Sequence, residues 1–194
     1  MLRTLTLALT LCTALSTSAL AATSASTPLS TSAPVFTTGG FAEIVIDRPV
    51  AQCFEILTNV NGWPDINKGV TLAVEPAHIK LKKGVIFHES IASPVPGVPN
   101  WKNDWTVQEF VPGKRFVIMG RDNFSKTPMH SRITYVFAAK TAKTTTFRRT
   151  IEVDMSDEFR AQASKPEVEA LAQFLGSQWD MAQHLKKYVE STAR

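Results

Sequence analysis

The chain of 194 residues is 44% hydrophobic and 20% charged, a balance that fits one globular domain and excludes a disordered chain or a two-core architecture. Its formal charge of +4 comes without the basic and aromatic alternation of a nucleic-acid reader, and the cluster Lys80, Lys82 and Lys83 reads as a solvated turn. With only two cysteines, neither a disulfide framework nor a zinc cluster is available.

Met1-Leu2-Arg3 supplies a positive start, residues 4–14 an apolar stretch and Ala19-Leu20-Ala21 a small-residue cleavage site. Residues 1–21 are therefore expected to be a secretory signal peptide, cut after Ala21 or Ala22. The apolar stretch is diluted by Thr and falls well short of the ~20 residues of a membrane span, and Cys12 lacks a lipoprotein box. The mature protein is expected to be secreted or periplasmic, monomeric and without a stable membrane span, with Cys53 as its single thiol. Residues 22–40, rich in Ser and Thr and broken by Pro28 and Pro34, read as a flexible tether. Residues 41–192 read as the folded domain. Asn123-Phe124-Ser125 is a glycosylation sequon if the secretory pathway is eukaryotic.

Order begins with the alternating strand "FAEIVID", residues 41–47. Asp47 and Pro49 then open a helix with Val50, Cys53, Phe54 and Leu57 on its apolar face, ended by Asn61-Gly62. On that face Cys53 reads as a buried small hydrophobe rather than a nucleophile. After Trp63-Pro64, strands are predicted over residues 70–76, 78–82, 85–91, 103–111, 115–121, 130–139 and 143–155, separated by turn signals such as Lys83-Gly84 and Pro112-Gly113. Short turns between consecutive strands imply an antiparallel meander. Ser164 and Glu167 form a capping box with Pro166 in the first turn, and a stripe from Val168 through Leu171, Leu175, Trp179, Ala182 and Leu185 to Val189 predicts one helix of about 25 residues. Gly176 in its middle signals either close packing on a strand or room for a ligand beneath it.

Strand, short helix, meander and long terminal helix make an α+β helix-grip layout, a curved antiparallel sheet wrapped around the C-terminal helix. The segments that carry it are "IVIDRPVAQCFEILTNVNGWPDINKGV", "LKKGVIFHES", "WTVQEFVPGKRFVIMG" and "LKKYVE". In these the chain resembles the SRPBCC superfamily, with its START domains, polyketide cyclase/dehydrase-like proteins and Bet v 1 relatives. The match runs from Phe41 to about Glu190 and lies in hydrophobic and turn patterns. The resemblance implies an internal cavity for a small hydrophobic ligand: a lipid, quinone, polyketide or aromatic. It implies a carrier, or alternatively a cofactor-independent cyclase or dehydratase. It also places Trp63 at one end of the cavity, covering its mouth or capping the core edge.

Alternation then selects the inward side chains. Val85, Phe87 and Ile91 share a face with Glu89, Trp105 and Val107 with Glu109, and Phe147, Ile151 and Val153 with Arg149. Ile133, Tyr135 and Phe137 form a further set. Glu89 and Arg149 are charged groups on inward faces, which either pair or hold or act on a polar head group. The expected ligand-binding residues are Trp63, Phe87, Glu89, Trp101, Trp105, Tyr135, Phe147, Arg149, Phe174 and Trp179. Trp101, in the Pro-rich loop, is the candidate lid. The catalytic candidates are Glu89 or Asp104 as proton carrier and Arg149 as enolate stabiliser. His130 opposes the parity of Ile133 and is expected to be exposed. The scattered histidines and the missing glycine-rich motifs imply no metal and no nucleotide cofactor.

Overall fold

The computed structural model describes residues 38–93, 96–97, 99–122, 129–155 and 157–192. The leader, most of the Ser/Thr-rich segment and the sequon at Asn123 lie outside the described residues. Seven antiparallel strands make one sheet: β1 (Thr38–Ile46), β2 (Thr71–Glu75), β3 (Ile86–Ile91), β4 (Trp101–Val111), β5 (Arg115–Asp122), β6 (Met129–Ala139) and β7 (Thr145–Asp154). The order across the sheet is β1-β7-β6-β5-β4-β3-β2. Strands β2 to β7 follow as a meander because each connection is too short for a crossover. β1 stands at the opposite edge from β2, paired with β7 from Thr38↔Val153 to Ile46↔Thr145. Helices lie on the concave face, and the last of them, α5 (Gln178–Thr192), makes its main sheet contact with β1. This is the helix-grip fold.

β1 begins at Thr38, three residues before the apolar alternation predicts, because glycines lead it in. A Cβ on Gly40 would lie 2.6 Å from the Leu175 carbonyl oxygen, so the strand passes under a helix where only glycine fits. Then comes α1 (Val50–Thr58), with Cys53, Phe54 and Leu57 buried. A 3-10 turn and the short helix α2 (Trp63–Ile66) follow, with Pro64 in the first turn of α2.

Two predicted elements differ. Residues 78–82 form no strand. Asn61 holds this stretch instead: its Nδ2 donates to the Ile79 carbonyl at 2.9 Å and its Oδ1 accepts the Ile79 N–H at 3.0 Å. Those bonds use backbone groups a ladder would need, while Lys80, Lys82 and Lys83 remain exposed. The long terminal helix is two, α4 (Lys165–Gly176) and α5 (Gln178–Thr192), preceded by the short α3 (Asp157–Gln162). The Phe174 carbonyl accepts hydrogen bonds from the Ser177 hydroxyl (2.9 Å) and the Gln178 side-chain amide (2.7 Å). Side chains entering the helical ladder in this way break it. Gly176 is exposed and an added Cβ would meet nothing within 4 Å, so it neither packs on a strand nor roofs a ligand. The start of α4 is as read: the Glu167 carboxylate accepts the Ser164 N–H at 2.6 Å.

Two hydrophobic clusters fill the concave side. The larger joins α1, α2 and α5 to the sheet and contains Phe54, Phe87, Phe116, Phe137, Phe147 and Leu185. Its rings meet edge to face, as in Phe54–Phe137 (5.2 Å) and Phe110–Phe116 (5.9 Å), each pair worth roughly 0.5–1.5 kcal/mol beyond area burial. The smaller lies under α3 and α4 and contains Ile91, Trp101, Met129, Val153, Phe159 and Leu171.

Candidate functional site

Between the two clusters runs a polar seam. Thr71 of β2, Glu89 of β3, Asn103 of β4, Ser131 of β6 and Arg149 of β7 all occupy inward positions and are buried. Together with Trp63, Trp105 and Tyr135 on one side and Ile91, Trp101 and Leu171 on the other, they line a cavity of about 30 Å³. That volume accommodates one or two waters.

Glu89, 5% exposed, is held rather than free. Its Oε1 accepts the Thr71 hydroxyl at 2.7 Å and its Oε2 accepts the Trp105 indole N–H at 2.8 Å. Burial pushes its carboxyl above the ordinary value of 4.5, against the pull of those two hydrogen bonds and of the nearby Arg149 charge. Trp105 is set by the strand beside it: a Cβ on Gly120 would lie 2.6 Å from the indole ring. Gly120 pairs directly with Trp105 in the β4–β5 ladder, so glycine there is the condition for the donor that holds Glu89.

Arg149 is 4% exposed. Its guanidinium lies 5.9 Å from the centre of the Tyr135 ring, and its Nε and Nη1 have no hydrogen-bond partner among the described residues. Asn103, opposite Glu89 in the β3–β4 ladder, also keeps a buried side-chain oxygen without a partner. These groups face the cavity.

Beyond the seam lies a second hollow of about 250 Å³, lined by Val70, Ile91, Ala92, Trp101, Phe174 and Met181. Exposed Gly69 and Gln173 form its rim. Val70, Ile91, Trp101, Phe174 and Met181 belong to the walls of both hollows, so they form the partition between them. Trp101 and Phe174 meet edge to face at 5.5 Å.

Of the expected ligand-binding residues, the fold brings Trp63, Glu89, Trp101, Trp105, Tyr135, Arg149 and Phe174 to the inner cavity. Trp63 is 3% exposed, its indole N–H donates to the Leu57 carbonyl at 3.2 Å, and its ring packs on Phe87. Trp101 is no loop lid, since β4 starts with it, paired with Ile91. Phe87 and Phe147 are core residues outside the cavity lining, spent on packing against Trp63 and against Tyr135 and Phe137. Trp179 is 56% exposed and lines a surface hollow with Glu43 and Lys186, because the break after Gly176 shifts the phase of the helical stripe.

Asp104 is corrected as an acid or base candidate. It faces away from the cavity, and its carboxylate accepts a 2.6 Å hydrogen bond from the ring nitrogen of the exposed His88 opposite it. Glu109 is likewise turned out, because the β4–β5 register slips between Val107 and Glu109. It pairs with Arg115 at 2.8 Å, and the same slip turns Phe110 inward onto Phe54. His130 is partly exposed, 3.9 Å from Asp154. Cys53 is buried, with its thiol pushed up by burial. Parity alone would have found Asn103 and Ser131, two positions before Trp105 and Ile133; an uncharged polar residue in an apolar register is the signal.

No group of three or more His, Cys, Asp or Glu among the described residues is placed to hold a metal, and no helix among them is long and apolar enough to cross a membrane.

No protein-family model matches the chain, and no curated protein matches it in sequence. Solved structures do match in fold. The Zhui aromatase/cyclase from Streptomyces sp. R1128 aligns with a TM-score of 0.61 and 14% identity over 81% of this chain and 96% of that one. A START superfamily protein from Mycobacterium smegmatis aligns at 0.56 and 11% identity over 79% and 97%. The major latex-like protein 151 from Panax ginseng aligns at 0.54 and 9% identity over 78% and 96%. All three are of the SRPBCC type, and at these identities the likeness is one of fold.

Proposed function

We propose that the protein is a carrier for a small hydrophobic ligand, such as a lipid, quinone, polyketide or aromatic, held between the sheet and α4–α5 in a secreted or periplasmic compartment. The observation that carries this reading is the enclosed polar seam beside an apolar hollow, the two sharing a wall of Val70, Ile91, Trp101, Phe174 and Met181. Buried polar groups that converge on an apolar cavity are what small-molecule sites provide. The inner space is too small for such a ligand while the partition is closed, so admission requires Phe174 or Met181 to change rotamer. The two hollows then approach the lower end of the roughly 300–1,000 Å³ typical of ligand pockets.

Native mass spectrometry of the chain purified from its own host is the test, with solvent extraction to identify an adduct. A bound apolar molecule that is lost in Phe174→Glu supports the reading. A protein that is empty and whose tryptophan fluorescence responds to no lipid, quinone or aromatic overturns it. Its compartment is checked by fractionation and by sequencing the mature N-terminus, expected at Ala22 or Thr23.

A second reading, a cyclase or dehydratase, is favoured by one observation. Glu89 is a buried carboxyl shifted toward its neutral form beside a cationic Arg149, an arrangement that can donate a proton while the guanidinium stabilises an enolate. Glu89→Gln separates the two: a carrier keeps binding and has no turnover to lose, whereas an enzyme keeps binding and loses product formation.

A further inference from the structure

We infer that the ligand is an anionic amphiphile, bound head first, with a carboxylate on Arg149 and its apolar body passing the Trp101–Phe174 partition into the outer hollow. This rests on the carrier reading and narrows it, since neutral quinones and neutral lipids would bind poorly.

A guanidinium cannot shed its proton, so a buried arginine without an acceptor carries a desolvated charge at a cost of several kcal/mol. Arg149 is in that position: no hydrogen bond or ion pair to its guanidinium occurs among the described residues, and its Nε and Nη1 are sealed from solvent. Glu89 is near enough to feel the Arg149 charge but gives the guanidinium no hydrogen bond. The two make no ion pair, and both Glu89 oxygens already accept hydrogen bonds from Thr71 and Trp105. Burial moreover pushes that carboxyl above its ordinary value. The other side chains of the seam, Asn103 and Ser131, are uncharged.

The neighbouring space sets the rest of the ligand. An inner cavity of about 30 Å³ fits little more than a head group, and the hollow next to it is walled by Val70, Ile91, Trp101, Phe174 and Met181, which offer no charge. An acidic head on an apolar body matches both. Arginine is the residue suited to the head, because its planar donors match the geometry of a carboxylate.

The experiment is isothermal titration of the full chain with two matched pairs: decanoate against methyl decanoate, and 2-naphthoate against methyl 2-naphthoate. The acids are expected to bind about ten- to hundredfold tighter than their esters, the range of a hydrogen bond to a charged group. In Arg149→Met that ratio should fall to near one while ester binding persists, and Arg132→Met, on the other face, should leave it unchanged. Equal affinity of acid and ester for the unaltered protein overturns the anionic head and leaves the carrier standing. Binding of neither member of either pair, nor of the lipid and quinone panel, overturns the carrier reading and this inference with it. If Arg149→Met does not fold, the acid-to-ester ratio of the unaltered protein decides the matter alone.

Discussion

Two arginines on adjacent strands meet opposite fates. Arg132 of β6 faces outward and donates from Nε and Nη2 to both oxygens of Glu152 on β7, each at 2.8 Å. Arg149 of β7 faces inward, and its Nε and Nη1 have no acceptor among the described residues. The residue type is the same; parity decides which one is satisfied at the surface and which is held in reserve inside. On the outer face polar side chains of neighbouring strands meet, such as His88 with Asp104 and Glu109 with Arg115. On the inner face the polar groups exceed their partners, which is unfavourable for folding and useful for binding.

The sharpest way to break this contrast is at Trp105, which is buried and donates to Glu89. Trp105→Ala should cost about 3–5 kcal/mol, in the range of large-to-small core changes, measured by chemical denaturation. Gly120→Ala, which pushes a methyl into the same ring, should cost on the order of 1–3 kcal/mol by overpacking and shift the tryptophan emission. Arg149→Met should move the other way and raise ligand-free stability by on the order of 1 kcal/mol or more, because it removes a desolvated charge. A loss of stability there would show that Arg149 has a structural partner.

Glu89 contributes a pH signature. Its folded pKa is raised, so the native state binds the extra proton between the ordinary value of 4.5 and the folded pKa. The stability it confers is complete below the unfolded pKa and is lost as pH rises through the folded one. Relative to Glu89→Gln, the unaltered protein should therefore weaken on going from acid toward neutral pH in paired denaturation curves. Glu152 has the opposite sign, since the Arg132 hydrogen bond lowers its pKa; its contribution is present above the unfolded pKa and fades as pH falls. Both partners are about one-third exposed, so Arg132→Gln should cost no more than about 1 kcal/mol and less in high salt. The smallest effect is expected at Gly176→Ala, from neutral to a gain of up to ~1 kcal/mol from helix propensity, because nothing lies near its Cβ.

The strand-helix-meander-helix order, the antiparallel pairing, the apolar face of α1 and the inward positions of Glu89 and Arg149 all follow from local pattern. Period-two and helical alternation are written residue by residue and survive folding. The tertiary structure decided the rest, wherever a distant group competed with local preference. Asn61 took the backbone of residues 78–82 away from a strand. Ser177 and Gln178 captured the Phe174 carbonyl and split the last helix, which sent Trp179 outward. A one-residue slip after Val107 exchanged Glu109 for Phe110 inside. Above all, alternation placed Arg149 on the inner face, but whether it met Glu89 was a matter of three-dimensional distance. Thr71 and Trp105, 18 and 16 residues from Glu89, hold that carboxylate, and the Arg149 Nε and Nη1 are left without a hydrogen-bond partner among the described residues.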